Sequence, residues 1–207
     1  MGYTPAANRH TNRPGSRRKI LMSAMFFAGQ SGNLGVVTAL PCKSFAELCL
    51  LIAQPVTLSL TREAYFALDG KARSLAKRVR YITPAAFNSS PCQRITENAA
   101  HCNLIALDID DATEAKRLLK QDWHECLGSL PHVVWHTISS TEESPRLRVL
   151  VAADHLPVAR YADAVRSVAE LIGLTSVTHE SRVPVQPMFL PTVFADAPVN
   201  RHLVAGL

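Results

Sequence analysis

Asn103-Leu104-Ile105-Ala106-Leu107-Asp108-Ile109-Asp110-Asp111 sets the frame for the whole chain: an apolar run ends in two aspartates separated by one isoleucine. Side chains alternate across a β-strand, so Asp108 and Asp110 share one face while Leu107 and Ile109 share the other. Carboxylates about 7 Å apart along a strand end repel each other unless a cation neutralises them. Removing their charge is therefore expected to relieve strain in the free fold. Hard divalent ions, Mg²⁺ or Mn²⁺, take oxygen ligands of this kind, usually together with substrate phosphates. The plainer alternative is an apolar strand running into an acidic turn, since Asp is common where strands end and helices begin.

Downstream the pattern is regular. Strand 104–110 is followed by a helix from about Ala112 to Leu127, with Ala115, Leu118, Leu119, Trp123 and Cys126 on one stripe. Strand 132–138 leads through Ser139-Ser140-Thr141-Glu142-Glu143-Ser144-Pro145 into strand 146–153. A helix from Pro157 to about Ile172 and a final strand around 186–193 complete the order β-α-β-β-α-β. That order predicts an α+β, ferredoxin-like (RRM-like) sandwich in which right-handed crossovers set the first and third strands side by side. Arg146 and Arg148 alternate with Leu147 and Val149, which places both arginines on the same open face as Asp108 and Asp110. Two guanidinium groups beside a carboxylate-bound ion suit a triphosphate. Equally, they suit a salt-bridge network that only neutralises the acids.

Upstream, apolar spacing predicts a helix over Ser44–Gln54 ended by Pro55, and a short helix over Thr61–Leu68. Lys71, Arg73, Lys77, Arg78 and Arg80 form a basic stretch, and residues 83–91 read as irregular. The organisation is then a basic arm over 1–25, expected to be disordered, a helical and irregular elaboration over 26–100, and the β-α-β-β-α-β unit over 101–207. The last two form a single domain.

With 207 residues, 47% hydrophobic and 19% charged, the chain has the composition of a globular domain with a proper core. Its five cysteines are odd in number and form no C-x-x-C pair, which argues for free thiols in a reducing cytoplasm and against a zinc or disulfide framework. Arg9, Arg13, Arg17, Arg18 and Lys19 account for the whole net charge of +5, and such an arm can hold polyanions non-specifically. Ser16-Arg17-Arg18-Lys19-Ile20-Leu21 approximates a twin-arginine signal, but the apolar run behind it is broken by Gln30-Ser31-Gly32-Asn33. No apolar stretch approaches the ~20 residues of a membrane span.

Taken in order, Leu107-Asp108-Ile109-Asp110-Asp111, then Val133 to Thr141 with Pro145-Arg146-Leu147-Arg148-Val149-Leu150, then Gln186-Pro187-Met188-Phe189-Leu190-Pro191, resemble the archaeo-eukaryotic primase (primase-polymerase) domains of phage, prophage and plasmid replication proteins. The resemblance covers roughly residues 44–195 and includes the basic lead-in from Lys77 through Phe87 to Arg94. It implies a primase palm performing template-directed nucleotidyl transfer with two divalent ions, Mg²⁺ or Mn²⁺, in DNA replication. On this basis Asp108 and Asp110 are expected to bind metal, with Glu180 as the third carboxylate and Asp196 as the reserve. His136, Ser139, Ser140, Arg146 and Arg148 are expected to hold the nucleotide. Ile138 stands where related proteins often carry histidine, and His136, two residues earlier, would face the same way. Lys77, Arg78, Arg80 and Arg94 are expected to track a single-stranded DNA template, with stacking on Tyr81 or Phe87. The implied partners are nucleoside triphosphates, the template and a separately encoded replicative helicase, with no membrane.

Other classes compete with this reading. A non-catalytic nucleic-acid-binding or replication-initiation module on the same fold is favoured by the missing histidine. A mobile-element interaction factor has no positive sign. Asp108-Ile109-Asp110-Asp111-Ala112-Thr113 approximates the aspartyl-nucleophile loop of haloacid-dehalogenase-type phosphatases, but Asp111 stands where that loop needs glycine. No G-x-S-x-G elbow or Walker sequence is present.

Overall fold

The computed structural model describes residues 26–30, 32–196 and 203–206, so the basic arm and the twin-arginine stretch lie outside the described residues. Strand β1 (Phe27–Gln30) forms an antiparallel hairpin with β2 (Asn33–Ala39), with Gln30 opposite Asn33. Ser44 caps α1 (Phe45–Ile52) by accepting the Glu47 N–H, and α1 buries Leu48, Cys49 and Ile52. Next comes β3 (Val56–Thr57); Thr61 then caps α2 (Arg62–Ala67) and Asp69 caps α3 (Gly70–Ala76). Both sides of Pro84 are extended, as β4 (Tyr81–Thr83) and β5 (Ala85–Phe87), and β6 (Cys92–Gln93) follows.

The segment expected to be helical and irregular thus keeps both expected helices, as α1 and α2, and also carries the strands β1 to β6. Apart from the seven-residue β2, its strands are too short for their alternation to stand out, and they are legible only through pairing. Gly29 shows how tight that pairing is: a β-carbon there would lie 2.2 Å from the Tyr81 ring, which leans across β1.

The long strand β7 (Ala99–Ile109) ends at the acidic pair. Instead of one helix over 112–127 there are two, α4 (Ala112–Leu118) and α5 (Trp123–Leu127). Asp122 accepts the N–H groups of His124 and Glu125, which restarts the helix and leaves Leu119 exposed. Strands β8 (His132–His136) and β9 (Leu147–Leu156) form a hairpin, then come α6 (Tyr161–Leu171), β10 (Met188–Phe189), β11 (Thr192–Val193) and β12 (Leu203–Gly206).

The architecture is α+β with antiparallel sheets. One five-stranded sheet has the order β12-β8-β9-β7-β5, so β9 lies between β8 and β7 and pairs antiparallel with each. The first and third strands of the expected unit are neighbours, as the crossover rule requires. The fourth is not where the ferredoxin-like pattern puts it. Residues 186–193 supply β10, which pairs with β4 in a second sheet of order β10-β4-β1-β2-β6, and β11, which runs parallel to β3. The place beside β7 is held partly by β5 and beyond it by side chains: the Ala106 N–H donates to the Tyr161 hydroxyl at 3.2 Å, and the Asp108 N–H to the Ser181 hydroxyl at 2.9 Å.

Two apolar layers result. Leu107, Ile109, Leu147, Val149 and Val151 pack with Ala115, Leu118, Trp123, Tyr161 and Val165 from the helices. On the other face, Leu104, Ala106, Val133, Trp135 and Leu150 pack with Ala28, Ile82 and Met188 of the second sheet, with Phe26 just before β1, and with α1. The face expected to be open is therefore covered along most of its length, because β7, β8 and β9 are apolar on both sides except at one end. Since β5 joins the first sheet and β10 the second, no boundary near residue 100 separates two bodies.

All five cysteines are free thiols. Burial pushes the Cys49 thiol up to about 11 and the Cys102 thiol up to about 12, so both stay protonated and unreactive at neutral pH. A thiol reagent at neutral pH should modify the half-buried Cys92 and Cys126 in the native chain and reach Cys49 and Cys102 only after denaturation. Peptide mass spectrometry checks this, and fast native labelling of Cys102 would contradict the packing described.

Candidate functional site

Register places acid against base. Asp108 stands directly opposite Arg148 in the β7–β9 ladder, with Trp135 of β8 on the far side of Arg148. Arg148 Nε and Nη2 donate to Asp108 Oδ1 at 2.8 and 2.6 Å, and Nη2 also reaches Oδ2 at 2.9 Å. The remaining terminal nitrogen, Nη1, donates to the Phe189 carbonyl of β10 at 2.7 Å, and Arg148 is only 8% exposed. Past the strand ends, Arg146 Nη1 faces Asp110 Oδ1 at 3.3 Å in a much more open position, the two side chains being 40% and 57% exposed. The four residues lie on one face, as the alternation predicts.

These pairs border a cleft of about 90 Å³ at the uncovered end of the inter-sheet layer. Trp135, Phe189 and Leu190 give it apolar walls, while Thr137, Ser139, Thr192 and Lys77 add polar groups. Lys77 ends α3, so the amino-terminal part of the chain contributes to the site. Three cations, Lys77, Arg146 and Arg148, stand against two carboxylates, which leaves the cleft with a positive balance suited to an anion.

The other expected site residues are placed as follows. His136 pairs with Leu147, the opposite sheet face from Asp108 and Arg148, and so does not substitute in the cleft. Strand 132–138 ends at His136 and the chain turns, so the two-residue spacing from Ile138 no longer means a common face. The His136 ring instead lies 2.7 Å from Ser140 Oγ, which also accepts the Arg146 N–H. Ser140 thereby ties the 137–146 loop, whereas Ser139 lines the cleft. Ile138 packs against Tyr65 and Phe194 and also lines the cleft, so an apolar side chain stands there where the resemblance leads one to expect histidine.

Glu180 is exposed and does not line the cleft; its turn docks on β7 through the neighbouring Ser181. Asp196 accepts the Arg62 N–H at the start of α2. Among the described residues no three His, Cys, Asp or Glu side chains are gathered as a metal-holding group. Arg94 donates to the Leu34 and Val185 carbonyls, lies over the Tyr81 ring and does not line the cleft. Tyr81 and Phe87 are buried, so neither offers a stacking surface. Arg78 and Arg80 are exposed and outside the cleft. Asp111, central to the phosphatase reading, caps α4 through the Thr113 and Glu114 N–H groups.

Sequence reasoning missed Trp135, Phe189 and Thr192. The period-2 rule could have found Trp135, since Val133 and Trp135 share a face. Nothing local marks Phe189, which arrives through pairing with β4.

The two acids differ in what they support. Asp108→Ala would leave the Arg148 guanidinium buried without its counter-charge, at an expected cost of about 3 kcal/mol or more. Asp110→Ala removes a solvent-exposed pair and should stay within about 1 kcal/mol. Urea unfolding of both variants checks the asymmetry, and equal midpoints would refute it. This revises the expectation that loss of acidic charge stabilises the fold, because arginines already neutralise both carboxylates.

No family model, curated protein or solved structure matches this chain.

Proposed function

We propose that this chain is a primase-polymerase-like domain of a mobile genetic element, joining nucleotides on a single-stranded DNA template with Mg²⁺ or Mn²⁺. The observation that carries the reading is the pair of cross-strand contacts, Asp108–Arg148 and Asp110–Arg146, at the mouth of one cleft with Lys77 and Ser139. Acids for a cation and bases for phosphate lie side by side there, as phosphoryl transfer requires.

The donor set has the right chemistry for a hard ion. Two carboxylates together with substrate phosphates suffice for Mg²⁺, which commonly keeps several waters. Asp108 carries three of its roughly four acceptor positions on Arg148, so Oδ2 retains a lone pair, and Asp110 is largely open. When bound, the ion would neutralise phosphate charge and acidify an attacking hydroxyl. Arg146, Lys77 and Ser139 would grip the phosphates, and Arg148 would hold Asp108 in place rather than contact substrate. Lys77, Arg78 and Arg80 supply positive charge for the template. Nucleoside triphosphates and template place the work in the cytoplasm, with a separately encoded replicative helicase as the partner.

One observation favours a second reading. Arg148 grips Asp108 so fully, with no third acid gathered beside the pair among the described residues, that the same cleft also suits a non-catalytic nucleic-acid-binding module.

The two readings differ in a template-extension assay. Protein, single-stranded template, nucleoside triphosphates and Mn²⁺ should give labelled oligonucleotides, and Asp110→Asn should reduce them to background while leaving the fold intact. Template binding should survive that substitution and weaken steeply with added salt. Salt-sensitive binding with no synthesis by the wild-type chain would establish the binding module in place of the enzyme.

A further inference from the structure

Beside the cleft lies a larger hollow of about 280 Å³, walled by α2, α3 and the loop between β8 and β9. Arg73, Lys77 and Arg146 bring positive charge to it, and Ser74, Thr141 and Ser144 are among its hydroxyls. No carboxylate lines it; the loop acids Glu142 and Glu143 are exposed and outside it. Lys77, Ser139 and Arg146 line both hollows, which therefore adjoin.

The walls are held in place before any ligand arrives. Arg73 Nη2 donates to the Phe66 and Leu68 carbonyls at 2.8 Å each, and its guanidinium lies 5.6 Å from the Phe66 ring centre. The Tyr65 hydroxyl is 2.9 Å from Ser139 Oγ, tying α2 to the loop, and Ser144 N–H donates to Thr141 Oγ1 to close the loop on itself. Arg62 and Arg73 both sit over the Phe66 ring, which is thus already engaged by cations. A cleft of about 90 Å³ is too small for a whole nucleotide, and the anionic end of one would extend toward the side without carboxylates.

We propose that this hollow is an oligophosphate subsite, taking the distal phosphates of a ligand whose inner phosphate lies in the Asp108–Arg148 cleft. It rests on the nucleotide reading above and adds Arg73, Ser74, Thr141 and Ser144 to the binding surface. The shared chemistry is a chain of phosphates, supplied either by a free nucleoside triphosphate or by the 5′-triphosphate end of a nucleic-acid strand.

Calorimetry on the full chain without divalent ions tests it, with inorganic tripolyphosphate, orthophosphate, ATP, a 5′-triphosphate oligonucleotide and a 5′-hydroxyl oligonucleotide as probes. Tripolyphosphate should bind more tightly than orthophosphate. Ser74→Glu and Ser144→Glu, on opposite walls, should each weaken it about tenfold. Asp110→Asn should hold or raise that affinity, because it removes the acid facing Arg146. Comparing ATP with the two oligonucleotides identifies which source of phosphates the site takes. Unchanged tripolyphosphate affinity in both glutamate variants would overturn the proposal, as would glutamate variants that weaken only the 5′-hydroxyl strand, which would mark a strand groove. No synthesis alongside the expected tripolyphosphate pattern removes the transfer reading and keeps the subsite. Synthesis with an unchanged KM for nucleoside triphosphate in both glutamate variants removes the subsite and keeps the transfer.

Discussion

Arg148 is the side chain on which the site and the fold both depend. It holds Asp108 within one sheet and the Phe189 carbonyl of the other, so a single guanidinium fastens the two layers at the end where the apolar packing stops. A guanidinium suits this position because its planar fork meets the carboxylate bidentately and still spans to a carbonyl, whereas an ammonium offers its donors from a single nitrogen. Burying that charge carries a large desolvation cost, and the cost is tolerable only with every donor placed well. The geometry of Asp108 is therefore set by folding rather than by ligand.

The same logic explains the edge of β7. An unpaired strand edge in a packed interior leaves N–H groups without acceptors, which a protein avoids. A fourth strand would have met that need, but Tyr161 and Ser181 do it with hydroxyl groups at alternate residues, Ala106 and Asp108. Burial raises the Tyr161 hydroxyl well above its ordinary range, so it remains a neutral phenol at working pH. With that edge satisfied, residues 186–193 are free to pair elsewhere, and β10 brings Phe189 to Arg148.

What was legible in the sequence follows the range of the interactions involved. The Asp108/Asp110 and Arg146/Arg148 alternation depends only on the period of a strand, and the three-strand core depends only on crossover handedness. The helix starts at Ser44, Thr61 and Asp111 depend on local caps. The readings that failed needed distant partners. Strands β1, β4 and β10 are two to four residues long and owe their conformation to each other. His136 was misplaced because strand periodicity was extended past the turn at Thr137. The ties of Arg94 to Tyr81, Leu34 and Val185 were not legible because those partners are remote in sequence.

The two acid–base pairs are chemically identical and differ mainly in depth. Near Arg148 water is scarce, the local dielectric is low, and the pair behaves as a structural fixture. Near Arg146 both side chains face solvent, so the contact at 3.3 Å is loose and readily exchanged. An incoming phosphate can therefore compete for Arg146, and a cation for Asp110, without disturbing the core. One residue of each kind holds the cleft open and one of each kind remains available inside it. That gradient over one strand repeat lets a site with opposite charges in contact still recruit a ligand.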